Sequence, residues 1–183
     1  MNDLQAIQAL KSGDIGGLEF LVTRYQSKAV RTAFLVTHNE DLAEDAVQET
    51  FMRLYHRIHK FDSSRPFEPY LLRSVVNAAL DIAQREGKHL SLEGDLTQVE
   101  GLLAQAASVE SDVEYRQLKQ RIITALAGLE PRQRVVVVQR YYLDMSEKEM
   151  ALALDTPPGT VKWLLNAART KLRNLLGSEG GAE

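Results

Sequence analysis

Cysteine is absent from this chain of 183 residues, which excludes disulfides, thiolate metal sites and cysteine nucleophiles. Strand signals are nearly absent as well. The one β-rich run, Val135-Val-Val-Val138, lies between a proline start at Pro131 and the charged Arg140. That setting favours a buried helix, since tertiary context often overrides propensity. No stretch approaches the ~20 apolar residues of a membrane helix, and Met1-Asn-Asp-Leu-Gln lacks the basic and apolar regions of a signal peptide. Glycine-rich phosphate loops, an HExxH helix and a GxSxG elbow are all missing. His56 and His59 stand three apart with no third ligand in view, which reads as a surface pair rather than a metal site. The expectation is a soluble, cytoplasmic, all-α protein that carries no catalytic set and needs no cofactor or metal.

What is present is unevenly spread. Hydrophobic residues make up 44% of the chain, enough for real cores. The net charge of −3 argues at first against nucleic acid, but distribution outweighs the sum. Residues 1–85 carry ten basic and eleven acidic side chains. Residues 86–114 carry one Lys against seven acids, and residues 115–177 carry eleven Lys/Arg against five acids. A balanced unit, an acidic stretch and a basic unit follow one another. This divides the chain into domains at 1–86 and 112–177, an acidic linker over 87–111 and a frayed tail at 178–183. With little apolar content in the linker, the two units are expected to move independently.

Helical periodicity fills both units. Helices are expected over Leu4–Lys11, stopped near Gly13, and from about Gly17 to Thr37, with Leu18, Leu21, Val22, Tyr25, Ala29 and Ala33 on one stripe. Asn39-Glu-Asp starts a third, whose apolar line Leu42, Val47, Phe51, Leu54 and Ile58 runs to about Lys60. Asp45, Gln48, Glu49, Met52 and Arg53 fall off that line and must face something else. Phe61 to Pro69 reads as a loop with two prolines, followed by a helix from Tyr70 to about Glu86. Ser111-Asp-Val-Glu114 is a capping box opening a helix to about Ala127, and Pro131–Tyr142 forms the next.

The most informative stretch is Ser146 to Arg173. Ser146 and Glu149 form another capping box, with Met150, Ala151 and Leu154 following at helical spacing. Asp155 to Gly159 breaks the helix; Thr156 is placed to cap the next one, with Pro157 at its first position. Two helices about a tight turn make a helix-turn-helix, whose second helix enters the DNA major groove. From Thr160 to Gly177 the charged residues are Lys162, Arg169, Lys171 and Arg173, with no acid among them. Leu165, Ala168 and Leu172 read as its core side.

Four motifs in order point to a family. Leu42-Ala-Glu-Asp-Ala-Val-Gln-Glu-Thr-Phe-Met-Arg-Leu-Tyr55 resembles the core-binding helix of region 2 in bacterial sigma-70 family sigma factors. Tyr70 to Asp81 resembles the promoter-melting helix that follows it. Leu126-Ala-Gly-Leu-Glu-Pro-Arg-Gln-Arg134 and Gly159-Thr-Val-Lys162 resemble the region 4 signatures. A linker where larger members carry an extra domain is similar to the extracytoplasmic-function (ECF) group.

The resemblance implies an RNA polymerase sigma factor that directs promoter-specific initiation. It implies binding to the β and β′ subunits of core polymerase, with Asp45, Gln48, Glu49, Met52 and Arg53 on a β′ coiled coil. It implies that Phe61, Tyr70, Arg73, Asn77, Asp81 and Arg85 engage the −10 element of promoter DNA, with a base unstacked into a pocket. Thr160, Lys162, Trp163, Asn166, Arg169, Lys171 and Arg173 would meet the −35 element. An anti-sigma factor is implied as a further partner, and the linker would thread the active-site cleft and RNA exit channel. Three departures stand out. The family usually has Trp at the position of Tyr70 and often an aromatic at that of Leu72. It commonly has Ser-Arg-Leu-x-Arg-Ala-Arg where this chain has Trp163-Leu-Leu-Asn-Ala-Ala-Arg169, so Leu164 and Ala167 replace two basic residues. Trp163 itself reads equally as a DNA contact or as a core or partner contact.

Two other readings compete. Thr160-Val-Lys-Trp-Leu164 also resembles the recognition helix of LuxR-type regulators, but such a regulator leaves the Asp45–Glu49 face and the Tyr70 helix unexplained. An enzyme with an all-α phosphate site rests on single residues only.

Overall fold

The computed structural model describes residues 1–86 and 113–177, all of whose regular structure is helical. The acidic linker, the Ser111 capping box and the C-terminal tail lie outside the described residues. α1 spans Asp3–Lys11, capped by Asn2, whose side chain and that of Gln5 each bond the other's backbone N–H at 2.9 Å. α2 covers Gly16–Thr37 and crosses α1 so closely that a Cβ on Gly17 would sit 2.2 Å from the Ala6 carbonyl. His38 then ends α2 in a left-handed conformation, φ 51°. Asn39 Oδ1 accepts the Leu42 N–H to start α3, Glu40–Arg57, which runs into a 3-10 turn at Ile58–Lys60.

α4 spans Phe67–Glu86 and so begins three residues before the expected Tyr70. Pro69 does not exclude this, because a first-turn residue has no intrahelical N–H bond to lose. The early start buries Phe67 (3% exposed) between Tyr25 and Phe61, with ring centroids 5.5 and 5.7 Å away. The apolar lines read from the sequence become the core, with Leu21, Tyr25, Ala29 and Ala33 from α2 and Val47, Phe51 and Leu54 from α3, and Leu71, Val75 and Val76 of α4 pack against them. Burying each large side chain is worth ~1.5–3 kcal/mol.

The second unit holds α5 (Val113–Ala127), α6 (Pro131–Val137) extended by a π turn at Val138–Tyr142, α7 (Glu147–Ala153) and α8 (Pro158–Gly177). Val135–Val138 are all buried in helical conformation. Ser146 and Glu149 close their capping box. The turn comprises residues 154–157, and α8 begins at Pro158, one position later than expected. Thr156 is not its cap: the hydroxyl donates to the Leu154 carbonyl and accepts from Arg132, while Asp155 turns the chain with φ 45°. Val161, Leu164 and Leu165 pack with Met145 and Met150, and Ala168 packs with Leu126 and Leu129.

The units are not separate bodies. Ile123, Val135 and Val138 belong to the same buried cluster as α2 and α4, with Leu143 and Leu154 packed against it. Leu35 of α2 reaches the cluster formed by Leu126, Leu129, Val137 and Ala168. The expectation of freely moving units took the linker's polarity as its guide; the apolar faces of α2, α4 and α6 join them instead. Among the described residues no helix is long and apolar enough to cross a membrane.

Candidate nucleic-acid interface

Asp45, Gln48, Glu49, Met52 and Arg53 all lie exposed on one face of α3. Ala43, Ala46, Val47 and Thr50 point the other way and are buried, which is why the polar set faces outward together. Glu49 sits between two cations, 3.7 Å from Arg53 and 3.7 Å from Arg85 of α4. The structure thereby brings Arg85 beside the α3 face rather than beside Asn77. Asp81 is exposed, and its backbone carbonyl accepts a bond from Arg85 Nε.

At the other end of α4, Tyr70 is 40% exposed and lies over Phe61, ring centroids 4.7 Å apart. Phe61 is itself buried, 6% exposed, and supports Tyr70 from beneath. Lys11 of α1 fixes this loop: its ammonium donates to the Phe61 carbonyl at 2.7 Å and to the Ser63 hydroxyl at 2.9 Å. Beside Tyr70 a cleft of about 190 Å³ opens between α3 and α4, lined by Arg53, Arg57, Tyr70, Ser74 and Asn77. Arg57 and Ser74 were not singled out from the sequence. The available signal was helical spacing, with Arg57 four residues after Arg53 and Ser74 four after Tyr70.

Arg73 and Asn77 are half-buried and already engaged. Arg73 donates to Glu149 Oε1 at 2.7 Å, and Asn77 Nδ2 donates to the Ala153 carbonyl at 3.0 Å. Both acceptors lie on α7. Glu149 is held below the usual carboxylate range, first by its bonds from Ser146 and then by Arg73.

Along α8 the solvent face centres on Trp163 (65% exposed), Asn166 and Thr170. Thr160, Ala167, Lys171 and Asn174 flank that line on one side, and Lys162, Arg169 and Arg173 lie on the other, roughly a third of a turn away. Trp163, Asn166, Thr170, Lys171 and Asn174 share one shallow furrow. Thr170 and Asn174 were missed from the sequence, although their spacing from Trp163 and Asn166 gave the signal. Arg169 is held sideways, its Nε donating to the Tyr141 hydroxyl at 2.8 Å with the guanidinium over that ring. Leu164 is 5% exposed in the core, so a basic residue there would not face solvent. Elsewhere an apolar groove between α2, α5, α6 and α8 is lined by Leu118, Ile122, Tyr141 and Leu172, with Arg31 and Lys119 among its walls.

Comparison with known proteins matches residues 21–89 to the sigma-70 region 2 family and residues 119–172 to sigma-70, region 4. The chain is 29% identical over 176 residues to the ECF RNA polymerase sigma factor SigW of Bacillus subtilis, covering 93% of this chain and 94% of that protein. It is 24% identical over 180 residues to the ECF RNA polymerase sigma-E factor of Escherichia coli, covering 95% of this chain and 94% of that protein. CnrH, solved in complex with the cytosolic domain of CnrY, has a similar fold, with a TM-score of 0.60 at 24% identity over 96% of this chain and 97% of that one. The sigma factor RpoE, solved with the anti-sigma factor NepR from Bartonella quintana, gives a TM-score of 0.58 at 19% identity over 87% of this chain and 96% of that one. With a region 2 unit and a region 4 unit matched in order on this all-helical fold, the chain belongs to the sigma-70 family, in its ECF group.

Proposed function

We propose that this protein directs promoter-specific transcription initiation as a detachable subunit of RNA polymerase in the cytoplasm. The observation that carries the reading is the presence, in one chain, of three surfaces: the polar face of α3, the aromatic cleft of α4 and the helix-turn-helix of α7 and α8. A regulator that only binds duplex DNA needs the last alone. Members of this family are not enzymes, and bond formation belongs to the polymerase.

The domains divide the work at 1–86 and 112–177. Asp45, Gln48, Glu49, Met52 and Arg53 meet the polymerase. Lys162, Lys171 and Arg173 neutralise phosphates around the −35 element, while Thr160, Trp163 and Asn166 reach base edges, and Arg169 joins them on the basic flank. At the −10 element, the cleft beside Tyr70 receives an unstacked base, whose loss of pairing costs a few kcal/mol and is offset by stacking and edge contacts. Asn77 supplies the edge contact, and Arg73, Asp81 and Arg85 border the strand. Phe61 acts from below, by positioning Tyr70. An anti-sigma factor with an acidic amphipathic helix fits the apolar groove that includes Arg31 and Lys119.

Reconstitution tests this. Core polymerase mixed with the protein and a genomic promoter library should start transcripts at specific sites without another sigma factor. Transcription that still depends on a second sigma factor overturns the reading.

A further inference from the structure

Two of the side chains assigned to the −10 element are occupied by the protein's own second unit. Arg73 and Asn77, one turn apart on α4, donate to Glu149 Oε1 and the Ala153 carbonyl of α7 at 2.7 and 3.0 Å. The acceptors match what nucleic acid would offer: an anionic oxygen for the guanidinium and a neutral carbonyl for the amide. Ala153 is the last residue of α7, so its carbonyl has no partner within the helix and is free to accept from outside. Around these bonds the units close over Leu143, Leu154, Val135 and Val138.

We propose that α7 masks the −10 surface by occupying Arg73 and Asn77, so that the strand and the helix-turn-helix compete for the same donors and the surface is exposed only when the units part. This rests on the function proposed above and adds its regulation. The polar part of the mask is weak, whereas the apolar cluster shared by the two units holds it closed. The Arg73 and Glu149 side chains are 39% and 42% exposed, so their ion pair is weak and screened by salt. Against it stands a polymerase-bound strand that offers many phosphates at once.

The chain has no cysteine, so introduced ones take spin labels cleanly. Gln26→Cys on α2 and Lys148→Cys on α7 are exposed and lie outside the proposed DNA surface. The distance between labels should be single and short in the free protein. It should lengthen when core polymerase with promoter DNA, or a pool of short single-stranded DNA, is added. Glu149→Gln keeps a capping-box residue at that position and removes the charge. It should raise single-stranded DNA affinity about two- to fivefold at low salt, the worth of an exposed ion pair. Saturating DNA bound at an unchanged label distance overturns the proposal, as does wild-type affinity in a folded Glu149→Gln protein. Specific initiation by core polymerase with the wild-type chain tests the parent reading separately. Initiation without lengthening sinks the masking alone, and no initiation sinks the function.

Discussion

His38 closes α2 in a left-handed conformation, and burial holds its imidazole neutral, with a pKa lowered to about 3 from 6.5. Arg134 of α6 adds to the effect and is itself desolvated, its guanidinium lowered to about 10 by burial. Between pH 6.5 and 3 the unfolded chain takes up a proton that the folded chain refuses, so stability falls as pH falls. The slope is at most ~1.4 kcal/mol per pH unit, or ~2 kcal/mol between pH 6.5 and 5. Urea midpoints at pH 7 and pH 5 should show this loss in the wild type and a smaller one in His38→Asn, since Asn tolerates the left-handed backbone. Equal losses in both proteins would remove His38 as the cause. On α3 the double reversal Asp45→Arg with Glu49→Arg should abolish co-elution with core polymerase. Its melting temperature should hold within a few degrees, because the Glu49 pairs are exposed and worth ~0.2–1 kcal/mol each. Normal co-elution would move the polymerase surface elsewhere.

Helix α8 carries a sharper test, because the two positions where family members are commonly basic differ here. Leu164 is packed against the Met145 and Met150 core, whereas Ala167 borders the furrow beside Trp163. Leu164→Arg should therefore cost ~3 kcal/mol or more as a buried unpaired charge and lower the melting temperature without any gain for DNA. Ala167→Arg should leave stability near wild type and tighten duplex binding in low salt. A stable Leu164→Arg protein with higher affinity would refute the assigned helix phase. Lys171→Ala and Arg173→Ala should each weaken duplex binding across all sequences and flatten the salt dependence by about 0.9 in the log–log slope, as read by filter binding. These elements were legible beforehand for a physical reason: periodicity records which side of a helix is wet, and the Ser146–Glu149 cap is a local bond. The start of α4 was misread because Pro66 and Pro69 look alike in sequence. One precedes the helix, and the other sits in a first turn that needs no donor. For Phe61 the sequence left stacking and core packing both open, and its burial took the fold to decide. It depends on Phe67 and Tyr70 closing over it, contacts that exist only once α4 begins at Phe67.

At the scale of the whole molecule, the apolar cluster shared by α2, α4, α5 and α6 makes the units fold as one. Calorimetry of the free protein should show a single transition whose calorimetric and van't Hoff enthalpies agree. Two resolved transitions would mean that the contact between units contributes little. The polar pattern of the intervening stretch gave no hint of this coupling, because the joining surfaces are split among helices far apart in the sequence.

Lys11 gives α1 a reach beyond its own place in the bundle. It holds the Phe61 carbonyl and the Ser63 hydroxyl, and thereby sets the floor on which Tyr70 rests. A bulky fusion partner or a short deletion at the amino terminus would therefore be felt at the cleft beside Tyr70. Such a protein would bind polymerase and duplex promoter normally yet start transcripts poorly, a phenotype easily misassigned to the DNA-reading residues. Placing affinity tags at the carboxyl terminus avoids it.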